Sequence, residues 1–158
     1  MTKHMLDHID LDWLKDVRNA FLIRAPEEVL ASYHSKLEHP TVDDVGFVRQ
    51  AELYDIVCDK TGERPPVIDS RDVLENPEEL LRALCTALGV PFDTAMLSWP
   101  PGPRDSDGAW APYWYHNVEK STGFAPYKAP QPLPDSLRPI ADECRVHYDR
   151  LYVHKLKV

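Results

Sequence analysis

Apolar positions along the chain change period several times, and each change marks an element. Residues 18–23, RNAFLI, set a short apolar run ahead of Arg24 and predict a buried strand. Pro26 follows, and Val29, Leu30, Tyr33 and Leu37 then recur at helical spacing. Pro suits the first turn of a helix, and Glu27 and Glu28 suit its positive end. This stretch reads as a strand, a tight turn and a helix. Residues 43–60 repeat apolar positions at Phe47, Ala51, Tyr54 and Cys58, which predicts a second helix, with Gly62 after its end. Val67 and Ile68 make a second short apolar run. SRDVLEN reads as a turn, and a helix is predicted from Pro77 to about Leu88, capped by Asn76 and stopped by Gly89. Its apolar stripe is Leu80, Leu81, Leu84, Cys85 and Leu88. The chain changes character at residue 99, where WPPGPRDSDGAWAPYWYHN forms a long loop. Trp99, Trp110, Tyr113, Trp114 and Tyr115 must bury area somewhere, which argues against disorder there. APYKAPQPLPDS is a Pro-rich extended linker. Residues 135–153 form a last helix whose core face is Leu137, Ile140, Ala141, Cys144, Tyr148 and Leu151.

Two strands separated by helices imply parallel pairing, hence an α/β fold with flanking helices and a helix-rich C-terminal part. One domain, residues 1–158, accommodates the whole chain. Two strands alone make a poor sheet, so the sheet is expected to be partial, lacking strands it once neighboured. Hydrophobic residues make up 43% and charged residues 28%, an ordinary globular balance. The net charge of −8 opposes nucleic-acid and anionic-membrane partners, which need a broad basic field. It leaves room for a local anion pocket built from a few arginines. No apolar run approaches the roughly 20 residues needed to cross a bilayer. MTKHMLDHIDLDWL lacks a signal-peptide core. Cys58, Cys85 and Cys144 are odd in number and far apart, so they read as reduced thiols of a cytoplasmic protein.

Several residues are placed to do chemistry. Arg24 stands at the carboxyl end of a strand and before a helix, where open α/β sheets bind ligands. Its guanidinium can fork onto a phosphate, and Ser32, two turns into the helix, can offer a hydroxyl to the same anion. Arg71 and Asp72 follow the second strand, and a local cap or salt bridge is the expected role for them. His4 and His8 lie four apart among acids, but a metal site is not favoured, because no downstream ligand cluster stands out. Trp110, Tyr113, Trp114 and Tyr115 offer faces for packing, or for stacking on a base.

FLIRAPEEVLASYHSKLE resembles the strand and helix with which sulfotransferases grip the 3′-phosphate of 3′-phosphoadenosine 5′-phosphosulfate. In that pattern an Arg ends the strand and a Ser follows eight positions later, as Arg24 and Ser32 do. SRDVLENPEELLRALCTALGV resembles a later segment of the same family. GPRDSDGAW resembles its late loop that closes over the nucleotide, matched at Arg104, Gly108 and Trp110, with Pro103 in place of the first basic residue. The resemblance spans roughly residues 1 to 125, leaving 126–158 as linker and C-terminal helix. It implies a partial three-layer, P-loop-like parallel sheet. It also implies sulfuryl transfer to a hydroxyl or amine of a small-molecule acceptor, with no metal. Lys3-His4 is similar to the family's Lys and catalytic His, although one position short, so the resemblance makes His4 the base, with His8 as backup. The family's Gly-rich loop ending in Lys, which holds the 5′-phosphosulfate, has no counterpart here. The chain is therefore expected to be a truncated or fragmentary sulfotransferase with weak or no activity alone, completed by a second copy or a partner chain. The alternative is a non-catalytic interaction module derived from the same kind of fold.

Overall fold

A computed structural model describes residues 8–34, 40–109, 111 and 115–158. Strand β1 (Phe21–Ile23) pairs in parallel with β2 (Val67–Asp69), in the register Phe21 to Val67, Leu22 to Ile68 and Ile23 to Asp69. Parallel strands need a crossover rather than a hairpin. Here it consists of α1 (Pro26–His34), α2 (Val42–Val45) and α3 (Phe47–Thr61). After β2 come α4 (Ser70–Glu75), α5 (Pro77–Leu88), the short α6 (His116–Glu119) and α7 (Arg138–Tyr152). The fold is helix-rich α/β, and the described sheet has two parallel strands, as the pattern of runs predicts.

The core sits between the strands, α3 and α7. Phe21, Ile23 and Val67 meet Phe47, Ala51, Tyr54 and Val57 from α3, and Cys144, Tyr148 and Leu151 from α7. Each helix supplies residues three or four apart, which places them on one face. Burial pushes the Cys144 thiol up to about 11, with the neighbouring Glu143 charge adding to the effect. Leu22 departs from the expected buried run, being 55% exposed. Side chains alternate along a strand, so a residue between two buried ones points the other way.

The predicted helix over 43–60 is two helices. Thr41 caps α2 through a reciprocal pair with Asp44. Gly46 then takes a left-handed φ of 72° and breaks the run before α3. SRDVLE is a helix rather than a turn, because Asp69 Oδ1 accepts from Arg71 N at 2.8 Å and caps it. Asn76 stands at the junction with α5, yet its amide reaches the Glu79 carboxylate instead of a helix N–H. Gly62 and Gly89 close α3 and α5 as expected, both at positive φ.

Two further features position the site. The C-terminal tail lies along the outer edge of β2, where Leu156 N donates to Val67 O at 2.8 Å and Lys155 is opposite Val67 in parallel. The aromatic loop is closed at its base. Trp99 Nε1 donates to Ser121 Oγ at 3.0 Å, and Trp99 N donates to Thr122 O at 3.1 Å.

Candidate functional site

Both strands end side by side, at Ile23 and Asp69, and each runs directly towards a helix. A cleft of about 380 Å³ opens at this carboxyl end. Its walls are the start of α1, the start of α4, one face of α7, and Tyr127 and Pro130 of the Pro-rich linker. Ligands of open α/β sheets bind at this end because the loops there leave a crevice.

Two buried carboxylates organise the cleft. Glu28, on the first turn of α1, accepts from Arg24 Nε at 2.8 Å on one oxygen and from Tyr127 OH at 3.0 Å on the other. Asp69 caps α4 with one oxygen and accepts from Tyr148 OH at 2.6 Å with the other. A buried carboxylate requires this many partners, since an unmet lone pair in a dry site costs a full desolvation penalty. Each phenol responds as its surroundings dictate. Burial raises the Tyr148 hydroxyl well above the ordinary phenol range, and the bond to Asp69 adds to the shift. The bond to Glu28 raises Tyr127.

The cations around the cleft are paired as well. Arg71 Nε meets Glu75 at 2.8 Å while its guanidinium lies 4.8 Å over the Tyr127 ring. The Glu75 bond is the main reason its pKa rises. Arg145 bonds Glu27 and stacks 5.1 Å from the Tyr148 ring. Lys155 reaches Asp72 at 2.6 Å. Arg71 thus makes the local salt bridge expected of it, whereas Asp72 pairs with Lys155, 83 residues away, and the α4 cap falls to Asp69. The basic tail, which the sequence alone left without a role, anchors the C-terminus beside β2.

Arg24 occupies the expected position, at the end of β1 and immediately before α1. Its side chain is 48% exposed while Glu28, its partner, is 9% exposed. Ser32 lies on α1 with its residue exposed. Arg104 and Gly108 sit in a tight turn closed by Asp107, whose side chain accepts from Arg104 N at 2.9 Å and whose N–H donates to Arg104 O at 2.9 Å. No hydrogen bond or ion pair among the described residues joins this turn to Arg24. His4 and Trp110 lie outside the described residues. His8 is exposed.

Three participants in the cleft were not read from the sequence. Glu28 was seen only as a favourable charge at a helix start, although its spacing of four from Arg24 is itself a pairing signal. Asp69 carried a cap signal, an acid between a strand and a helical Ser. Tyr127 had none, because nothing local in a Pro-rich linker says which helix it will meet.

A family model described as a sulfotransferase domain matches residues 1–144. The chain is 33% identical over 155 residues to branched-chain-amino-acid aminotransferase-like protein 2 of Arabidopsis thaliana, an alignment covering 98% of this chain and 27% of that protein. It is 35% identical over 152 residues to the Arabidopsis protein 1 of the same name, covering 96% of this chain and 25% of that protein. The chain therefore spans about a quarter of the curated relatives it matches. Among solved structures it is similar to the sulfotransferase domain from the curacin biosynthetic pathway, with 19% identity, a TM-score of 0.40, and coverage of 80% of this chain and 52% of that one. A match over residues 1–144 takes in both strands, the crossover and the α1 and α4 walls of the carboxyl-end cleft, and the chain belongs to the sulfotransferase domain family.

Proposed function

We propose that this chain takes 3′-phosphoadenosine 5′-phosphosulfate as donor and serves sulfuryl transfer to a hydroxyl or amine of a small-molecule acceptor. The observation that carries this reading is Arg24: an exposed guanidinium at the carboxyl end of β1, leading into α1, with Ser32 eight positions on. A phosphate placed there meets a charge-assisted donor and, along α1, a hydroxyl. In the transfer, the bond between sulfur and the 5′-phosphate oxygen breaks, and the electron pair leaves with adenosine 3′,5′-bisphosphate. A bond forms between sulfur and the acceptor atom, whose proton passes to a base, His4 in this reading. The contribution of Arg24 and Ser32 is positioning: they hold the far end of the donor so that the sulfuryl group stays in line. The sequence holds no Gly-rich loop ending in Lys, so the charge on the leaving 5′-phosphate needs residues other than the ones described here.

Calorimetric titration with adenosine 3′,5′-bisphosphate tests the reading, with Arg24→Ala as control. Binding that disappears in the variant is expected. A folded wild-type chain that takes up no bisphosphate overturns it.

A second reading, an interaction module, is favoured by the edge of β1. In the observed register the Leu22 backbone faces away from β2, and its carbonyl accepts from Gln50 Nε2 at 2.8 Å. The Leu22 side chain is exposed. This reading assigns the edge to a strand of a second sulfotransferase-domain chain, and sedimentation equilibrium of the intact protein with Leu22→Lys distinguishes it. Self-association lost in the variant supports the module, whereas a wild-type chain that is monomeric at all concentrations sinks it.

A further inference from the structure

A second cleft, of about 500 Å³, lies at the opposite, amino end of the two strands. The segments entering β1 and β2 and the last turns of α3 and α5 enclose it. Four cations line it, Lys15, Arg18, Lys60 and Arg64, against a single acid, Glu63. In a chain of net charge −8 this is a local reversal of sign. Asp12 lies beside it, paired with Lys60.

Two helix C-termini would ordinarily add negative potential to such a cleft. Here several of their carbonyls already have partners. Gly62 N donates to Cys58 O at 2.8 Å, and Thr61 Oγ1 donates to Val57 O at 2.7 Å. Val90 N donates to Cys85 O at 2.9 Å, and Gly89 N to Thr86 O at 3.1 Å. Arg18 Nη1 donates to Leu88 O and, at 2.6 Å, to Gly89 O. Arg18 and Lys60 thus have structural duties that explain their presence. Lys15 and Arg64 do not: both are exposed, and neither forms an ion pair among the described residues.

We propose that this amino-end cleft binds a small polyanion carrying at least two phosphate or sulfate groups. The cations enter from both strand approaches, Lys15 and Arg18 ahead of β1, and Arg64 ahead of β2 with Lys60 near the end of α3. A ligand with two separated anionic groups satisfies both sides, whereas a single ion satisfies one. The volume falls within the range of small-molecule sites. The acidic balance of the rest of the surface restricts the ligand to a small molecule, since a nucleic acid would be repelled beyond the cleft.

The test uses the intact chain and two probes in parallel, inorganic pyrophosphate and a disulfated disaccharide, titrated by calorimetry at about 50 and 200 mM salt. One-to-one binding that weakens with salt is expected for at least one probe, and the tighter probe tells whether phosphate or sulfate is read. The double variant Lys15→Glu, Arg64→Glu is expected to lose about tenfold or more in affinity, while Arg24→Ala leaves it unchanged. The neutral pair Lys15→Ala, Arg64→Ala replaces it if charge reversal disturbs folding, with the melting curve as the check. Failure of both probes to bind overturns the proposal, as does binding that survives both double variants. Adenosine 3′,5′-bisphosphate also carries two phosphates, so its Arg24→Ala comparison is made in the Lys15→Ala, Arg64→Ala background, where the amino-end cleft is silenced and either proposal can fail without the other.

Discussion

The two ends of the same short sheet are built from opposite electrostatics. At the carboxyl end two acids are buried and satisfied: Glu28 holds Arg24 and Tyr127, and Asp69 holds the start of α4 and Tyr148. At the amino end the cations are in excess, and two of the four answer helix carbonyls or a carboxylate. The difference follows from chain direction. The carboxyl end of parallel strands leads into helix N-termini, which favour acids, and the amino end receives helix C-termini, which favour cations. A ligand anion must therefore contend with resident carboxylates at one end and finds exposed cations at the other. The proposed donor site nonetheless lies at the carboxyl end, so Arg24 would work there against nearby negative charge, with about half of its side chain exposed.

The largest effect that would break this picture concerns the carboxyl-end acids. Asp69→Ala removes a helix cap and strands the buried Tyr148 hydroxyl, so a loss of about 3 kcal/mol is expected in urea unfolding. A loss below about 1 kcal/mol would mean that Asp69 is dispensable to the fold and free for chemistry. A smaller effect is expected from Glu28→Gln. The variant keeps a bond to Tyr127 but removes a charge beside Arg24, so bisphosphate affinity should rise several-fold in the calorimeter. Unchanged or weaker binding would show instead that Glu28 serves to aim the guanidinium. The smallest effect concerns Cys144, on the core face of α7. Its thiol is pushed up to about 11 from an ordinary value of 9.0. A raised acid binds its proton more tightly in the folded state, so its contribution is complete below pH 9 and is lost as pH climbs towards 11. A melting temperature that falls across that window in the wild type, and falls less in Cys144→Ala, is the expected result. Parallel curves for the two would remove Cys144 as the source.

Much of the fold was legible because it depends on local signals. Pro26 and Pro77 at helix starts, Gly62 and Gly89 at helix ends, and the apolar stripe of residues 137–151 all act within a few residues of themselves. The misreadings were local too, but rested on competition between neighbours. Gly46 broke a run that periodicity alone would continue, and Asp69 turned an expected turn into α4 by capping it. The candidate site was legible in half. Arg24 at a strand end follows from the run before it, and its spacing of four from Glu28 is a local pairing signal, whereas the bond from Tyr127 to Glu28 joins residues 99 apart.

The sequence by itself determined the α/β class, the parallel sense of the two strands and the position of Arg24 at the end of one of them. Periodicity, caps and the need for a crossover act over short distances, and they suffice for that. Only the tertiary structure decided which charges are spent. Whether Lys60 or Lys155 is paired depends on carboxylates brought from 48 and 83 residues away. It also decided that four cations from separate segments would meet at one end of the sheet, because burial of the strands and of α3 and α5 draws together residues that share no local pattern.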